Sequence, residues 1–181
     1  MPNWACGFVS ITGTKPNVEK FVGRFIHDEG VDSDIPKHLY FARSFTNDSQ
    51  QSVLDAVETA FHGSSVESER TFDMSVDFAW SAYSCLIDGY PQGDPDHCIT
   101  LAAACAEDKV SAEIRTEEGG IGFDEYISCD KQGALTSNCT DLLPYKCKNC
   151  GAITSIASFT DEDEVECYEC GEVGLDPDFI T

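Results

Sequence analysis

The chain is most tightly constrained near its C-terminus, by the segments Cys147-Lys148-Asn149-Cys150-Gly151 and Cys167-Tyr168-Glu169-Cys170-Gly171. Two C-x2-C pairs separated by sixteen residues have the spacing of a four-cysteine metal site. The glycine after each pair can take the positive φ that a tight turn around a metal requires. Four thiolates in tetrahedral array suit Zn2+, whose filled d shell imposes no competing geometry. An iron site of the rubredoxin kind would use the same ligand set. Cys147, Cys150, Cys167 and Cys170 together leave no open coordination position, so the expected role is structural rather than catalytic. A thioredoxin-type redox motif would need only one such pair.

Charge is the second constraint. Thirty-three acidic residues oppose eleven basic ones, for a formal net charge of −22. Thiolates on a divalent ion would make the balance more negative still. Such a field repels phosphate backbones and favours basic partners, including protein surfaces that themselves hold nucleic acid. Solubility and salt adaptation are competing explanations. Lysine outnumbers arginine and cysteine is abundant, which argues against salt adaptation. The densest acidic run is Asp161-Glu162-Asp163-Glu164, read as an exposed loop between the two cysteine pairs. No apolar stretch reaches the length of a membrane span. The start Met1-Pro2-Asn3-Trp4-Ala5-Cys6 has neither a basic nor a long apolar region, so a cytoplasmic location is expected. In that reducing setting Cys6, Cys85, Cys98, Cys105, Cys129 and Cys139 read as small core-filling residues.

Periodicity supplies the rest of the frame. Residues 8–13 read as a strand, and Thr14 and Pro16 then open a helix. Val18, Phe21, Val22, Phe25 and Ile26 make that helix's apolar stripe. A second strand is expected over 39–45. A second helix, capped by Asp48 or Ser49, would bury Val53, Leu54, Val57, Ala60 and Phe61. The clearest strand alternates Phe72, Met74, Val76, Phe78 and Trp80 with polar or small residues. Residues 97–107 read as a helix capped by Asp94 or Asp96, followed by paired strands over 110–117 and 123–129. Residues 152–159 should form a hairpin strand between the cysteine pairs. Interleaved but irregular elements favour an α+β domain over 1–141, an antiparallel sheet with helices on one face. A small zinc ribbon would occupy 142–181.

Catalytic signatures are missing from the sequence. His27-Asp28-Glu29 supplies the H-x-E of zinc deaminases, but the required P-C-x-x-C does not follow it. No H-E-x-x-H, P-loop, G-x-G-x-x-G or G-x-S-x-G is present. His27, His38, His62 and His97 share no ligand spacing, and Trp4 and Trp80 read as core residues. No catalytic residue is assigned.

The opening Met1-Pro2-Asn3-Trp4, the Ile11-Thr12-Gly13 strand end and the Val18-Glu19-Lys20-Phe21 helix resemble the YubB-type family of phage, plasmid and prophage proteins. Phe78-Ala79-Trp80, Glu118-Gly119-Gly120, Gly122-Phe123 and Glu125 are similar to that family's second half. The cysteine that often follows the Met-Pro-Asn-Trp start is displaced by one residue here, to Cys6. The resemblance covers about residues 1–135. It implies a ferredoxin-like fold and a mobile-element origin, and it carries no catalytic residues; the ribbon departs from the family's usual form. The expected function is a non-enzymatic acidic protein that occludes a basic surface of a host defence protein, such as a nuclease or CRISPR effector. Asp161, Glu162, Asp163, Glu164, Glu166 and Glu169 are the expected contacts. The alternative is a zinc-ribbon adaptor in replication, transcription or nucleic-acid handling, for which Lys146 and Lys148 supply local positive charge.

Overall fold

The computed structural model describes residues 4–26, 38–39, 44–45, 49–87, 98–118, 122–157, 164–166, 169–171 and 173–175. In chain order the elements are β1 (Trp4–Thr14), α1 (Lys15–Phe25), β2 (His38–Leu39), β3 (Ser44–Phe45), α2 (Gln50–Ala60), β4 (Glu69–Ala79) and α3 (Ala82–Leu86). Then follow β5 (Cys98–Ile99), α4 (Leu101–Asp108), β6 (Ser111–Glu118), β7 (Phe123–Cys129), β8 (Leu135–Lys146), β9 (Ile153–Ala157), β10 (Glu164–Glu166) and β11 (Val173–Leu175).

Strict alternation gives the sheet two unlike faces. Phe72, Met74, Val76 and Phe78 of β4 are buried, as are Val9 and Ile11 of β1 and Ala112 and Ile114 of β6. β1 pairs antiparallel with β4 along its whole length, from Trp4↔Ala79 to Thr14↔Glu69. Its other edge pairs antiparallel with β6, from Cys6↔Glu117 to Thr12↔Ser111. β6, β7 and β8 continue as an antiparallel meander. The strand order is β3-β4-β1-β6-β7-β8-β9, five long strands with a short one at each edge. The approach of β6 to β1 is close enough that a Cβ on Gly7 would sit 1.9 Å from the Arg115 carbonyl oxygen.

The helices cover the apolar face. In α1, Val18, Phe21 and Val22 are fully buried. Thr14 is its N-cap residue, although its hydroxyl makes no capping bond, and Pro16 stands in the first turn, where no N–H is needed. Ser49 caps α2, its Oγ accepting from Ser52 N at 3.2 Å, and Val53, Val57 and Phe61 point inward. α4 presents Leu101, Ala104 and Cys105 to the core. Its small side chains let it lie close to β7, where the Cys105 thiol meets Cys129 and burial helps hold it protonated.

Several sequence expectations shift. Of the strand expected over 39–45, Leu39 belongs to β2 and Ser44 and Phe45 form β3, which pair with different partners, and residues 40–43 lie outside the described residues. The helix expected over 97–107 begins later, because Cys98 and Ile99 pair with β2 and Thr100 caps α4 by accepting from Ala103 N at 3.3 Å. Asp48, Asp94 and Asp96 lie outside the described residues. Trp80 ends β4 with φ 66 rather than extending it, and Trp4 and Trp80 are half-buried at the strand ends. Cys85, Cys105 and Cys129 are buried as expected, but Cys6 and Cys139 are exposed. β9 pairs back onto β8, from Leu142↔Ala157 to Lys146↔Ile153, while β10 and β11 form a separate hairpin.

One charged cluster ties α1 to α4. Arg24 Nε donates to Asp108 Oδ2 at 2.6 Å and its Nη2 donates to Asp108 Oδ1 at 3.0 Å. Both side chains are fully buried. Lys20 Nζ reaches Asp108 at 2.7 Å, and Glu107 pairs with both Lys20 and Arg24. Removing one member of such a pair strands the other in a low-dielectric site, whereas replacing both with apolar groups does not. Asp108→Ala should therefore lower unfolding free energy by about 3–5 kcal/mol. The double change Arg24→Met, Asp108→Leu should recover most of that loss, as read by denaturant titration. Burial raises the Glu107 acid, but hydrogen bonds and charge from Lys20 and Arg24 prevail and hold it below the ordinary carboxylate range. Its stabilising contribution is present above the unfolded value, about pH 4.3, and should fade as pH falls below it.

Candidate metal centre

The first cysteine pair is placed by the end of β8. Lys146 closes the ladder with Ile153, and Cys147 N then donates to Ala152 O at 2.8 Å. Gly151 N donates back to Cys147 O at 2.9 Å, closing a turn whose last residue has φ +76. A side chain at that φ would be strained, which explains the glycine. The second pair sits between β10 and β11, where Glu166↔Val173 pairing brings the hairpin arms together. Gly171 repeats the motif with φ 69.

These turns bring Cys147, Cys150 and Cys170 together, with their Sγ atoms all within 4.8 Å of one another. Cys147 Sγ and Cys170 Sγ are 3.6 Å apart. A tetrahedral ion with metal–sulfur bonds of about 2.3 Å has a sulfur–sulfur edge of about 3.8 Å. The spacing fits shared coordination and is far too long for a disulfide, whose sulfurs lie about 2.05 Å apart. Cys147 is buried, while Cys150 and Cys170 face solvent. Asn149 Nδ2 donates to Cys170 Sγ at 3.6 Å, the kind of outer contact that orients a thiolate and disperses its charge. The three sulfurs can hold a metal ion. Cys167, the fourth cysteine of the pattern, lies outside the described residues.

The acidic contacts expected from the sequence are only partly placed. Asp161, Glu162 and Asp163 lie outside the described residues. Glu164 and Glu166 belong to β10, paired with Leu175 and Val173 of β11. Glu169 is exposed, immediately before Cys170. His62 follows α2 on the surface, and His27 and His97 lie outside the described residues.

A second polar site escaped the sequence reading. Glu125 on β7 is buried, and its Oε2 accepts from Ala82 N at 2.8 Å and from Thr116 Oγ1 at 3.2 Å. Burial raises its acid, and those hydrogen bonds pull in the opposite direction. The carboxylate serves the start of α3, a helix the sequence reading did not include. Beside it, Ser81, Tyr83, Ile127, Asn138 and Cys139 line a cavity of about 350 Å³. The available signal was phase: Glu125, Ile127 and Cys129 share the inward positions of one strand.

The chain matches no family model, no curated protein and no solved structure at a significant level. Among the described residues no helix is long and apolar enough to cross a membrane.

The centre makes a direct prediction. Chain purified under reducing conditions should retain one tightly bound metal ion, and cobalt substitution should give the intense visible bands of a tetrahedral thiolate site. Cys147→Ser and Cys150→Ser should each lose the ion and make 142–181 protease-sensitive. Because the ligands bind as thiolates, affinity should fall as pH drops below the ordinary thiol value of about 8.5.

Proposed function

We propose that this chain is a non-enzymatic acidic binding protein that docks on, and occludes, a basic surface of another protein. The observation that carries the reading is the net charge of −22 on a chain whose long strands and helices share one packed core. A charge of that size steers basic partners towards the chain and repels nucleic acid. The metal is read as Zn2+ held by Cys147, Cys150, Cys167 and Cys170 in a small ribbon, with no position left for substrate. Its role would be to fix the C-terminal hairpins, where Glu164, Glu166 and Glu169 stand close to the second pair in sequence.

The ferredoxin-like description is part of this proposal. Its support is the route from β4 through α3 and α4 to β6, two strands that flank β1 and run in the same direction. Two interlocked units of this kind make a ferredoxin-like sheet; here one such unit is followed by the meander β6-β7-β8. With the sequence resemblance, it supports a phage or mobile-element protein acting in the host cytoplasm. The target class that fits is a nuclease or CRISPR effector whose groove is lined with Lys and Arg. A zinc-ribbon adaptor is the second reading, favoured only by exposed Lys146 and Lys148 beside the first pair.

Purified chain, mixed with a panel of purified nucleases and CRISPR effectors, should inhibit at least one of them. Its affinity should weaken by about tenfold or more as salt rises from low to high ionic strength. Heparin should relieve the inhibition by competing for the same basic groove. Tight binding of the chain to DNA or RNA, with no inhibition, would instead establish the adaptor reading.

A further inference from the structure

The face of the sheet turned away from the helices is uncovered among the described residues, and its side chains are ordered by register. One cross-strand row runs Asp77, Cys6, Glu117, Asp124 over β4, β1, β6 and β7. The next row on this face is Ser75, Phe8, Arg115, Tyr126. The third is Asp73, Ser10, Glu113, Ser128. Carboxylates therefore occupy the two outer rows, and the aromatic side chains occupy the row between them. Four residues of strand separate the outer rows, about 14 Å at about 3.4 Å per residue.

The middle row is unusual for an open sheet surface. Phe8 is 61% exposed at the centre of the face. Beside it the Arg115 guanidinium lies 5.2 Å from the centroid of the Tyr126 ring. An apolar centre with a charged rim is the anatomy of a protein-binding surface, where the centre supplies the burial and the rim supplies steering. The rim here is acidic on both sides. A second copy docking face to face would set carboxylate against carboxylate, and nucleic acid would be repelled. Cys6 also registers the local field: desolvation and the carboxylates of Asp77, Glu118 and Glu117 push its thiol up to about 11.

We infer that this open sheet face is the docking surface for the basic partner, taking a protein segment that sets Lys or Arg side chains against both acidic rows and an apolar side chain over Phe8. The inference rests on the reading above that the partner is basic. It moves the principal contact from the acidic residues of the C-terminal hairpins to the middle of the sheet.

The test is an amide NMR titration of the full chain with a synthetic peptide alternating arginine and serine around a central leucine. The same peptide with glutamine in place of arginine serves as control. Perturbations should centre on residues 6–10, 113–117 and 124–128, and the glutamine peptide should give none. Asp77→Asn, Glu117→Gln and Asp124→Asn combined should weaken binding about tenfold. Phe8→Ala should weaken it about fivefold at unchanged charge, with core amides such as Val9 and Ile114 reporting that the fold is intact. Perturbations centred on Glu169–Gly171, or spread evenly over the acidic surface, would overturn the assignment of this face and leave a basic partner standing. An unaltered affinity in Phe8→Ala would also overturn it, since bare charge attraction does not need the ring. Absence of any binding at low salt would overturn both this inference and the proposed function.

Discussion

The antiparallel pairing of β1 with strands on both its edges is the constraint on which the rest of the structure depends. β1 is an N-terminal strand, yet it lies between β4 and β6, which follow much later in sequence. The chain between β1 and each of these neighbours carries helices that lie across one face. That placement puts α1 directly after β1 and brings α4 over the same face just before β6. The buried Arg24–Asp108 pair then fastens the two helices together across 84 residues of chain. Gly7 belongs to the same constraint, because only a residue without a side chain lets the Arg115 carbonyl approach so closely. A central strand with both edges used also leaves its outward side chains in fixed register, which is why the acids of three strands fall into rows.

Legibility in the sequence follows the reach of each interaction. β4 could be read because Phe72, Met74, Val76 and Phe78 record burial at a period of two, a purely local signal. α1 and α2 could be read from their apolar stripes, and the metal centre from ligand spacing with its glycines. What the sequence concealed depends on partners distant in the chain. Thr100 is an ordinary threonine until β5 pairs with β2 and leaves it at the head of α4. The sequence reading sets a domain boundary between residues 141 and 142, inside β8, where Leu142, Leu143 and Pro144 lead into the first cysteine pair. β8 is nevertheless a strand throughout, paired with β7 over 135–141 and with β9 over 142–146. Glu125 enters the sequence reading only as part of a family resemblance; the backbone N–H of Ala82 at the start of α3 donates to its buried carboxylate, a partner 43 residues away in the chain.

The two chemical themes of the chain divide the work between them. In the proposed ribbon a metal held by the cysteine turns would supply order, because a few short strands cannot build a core large enough to stabilise themselves. The sheet needs no such help: its helix-covered face holds Phe21, Phe78, Ile114 and Ile127 out of water, each contributing about 1.5–3 kcal/mol. That surplus lets the opposite face carry carboxylates in two rows, one on each side of the row that holds Phe8 and Tyr126. The single cation of that central patch, Arg115, lies over Tyr126 between the two acidic rows. A surface used only for solubility would gain nothing from keeping Phe8 exposed among those acids. A surface used for recognition needs both, a field to bring a basic partner in and an apolar contact to keep it there.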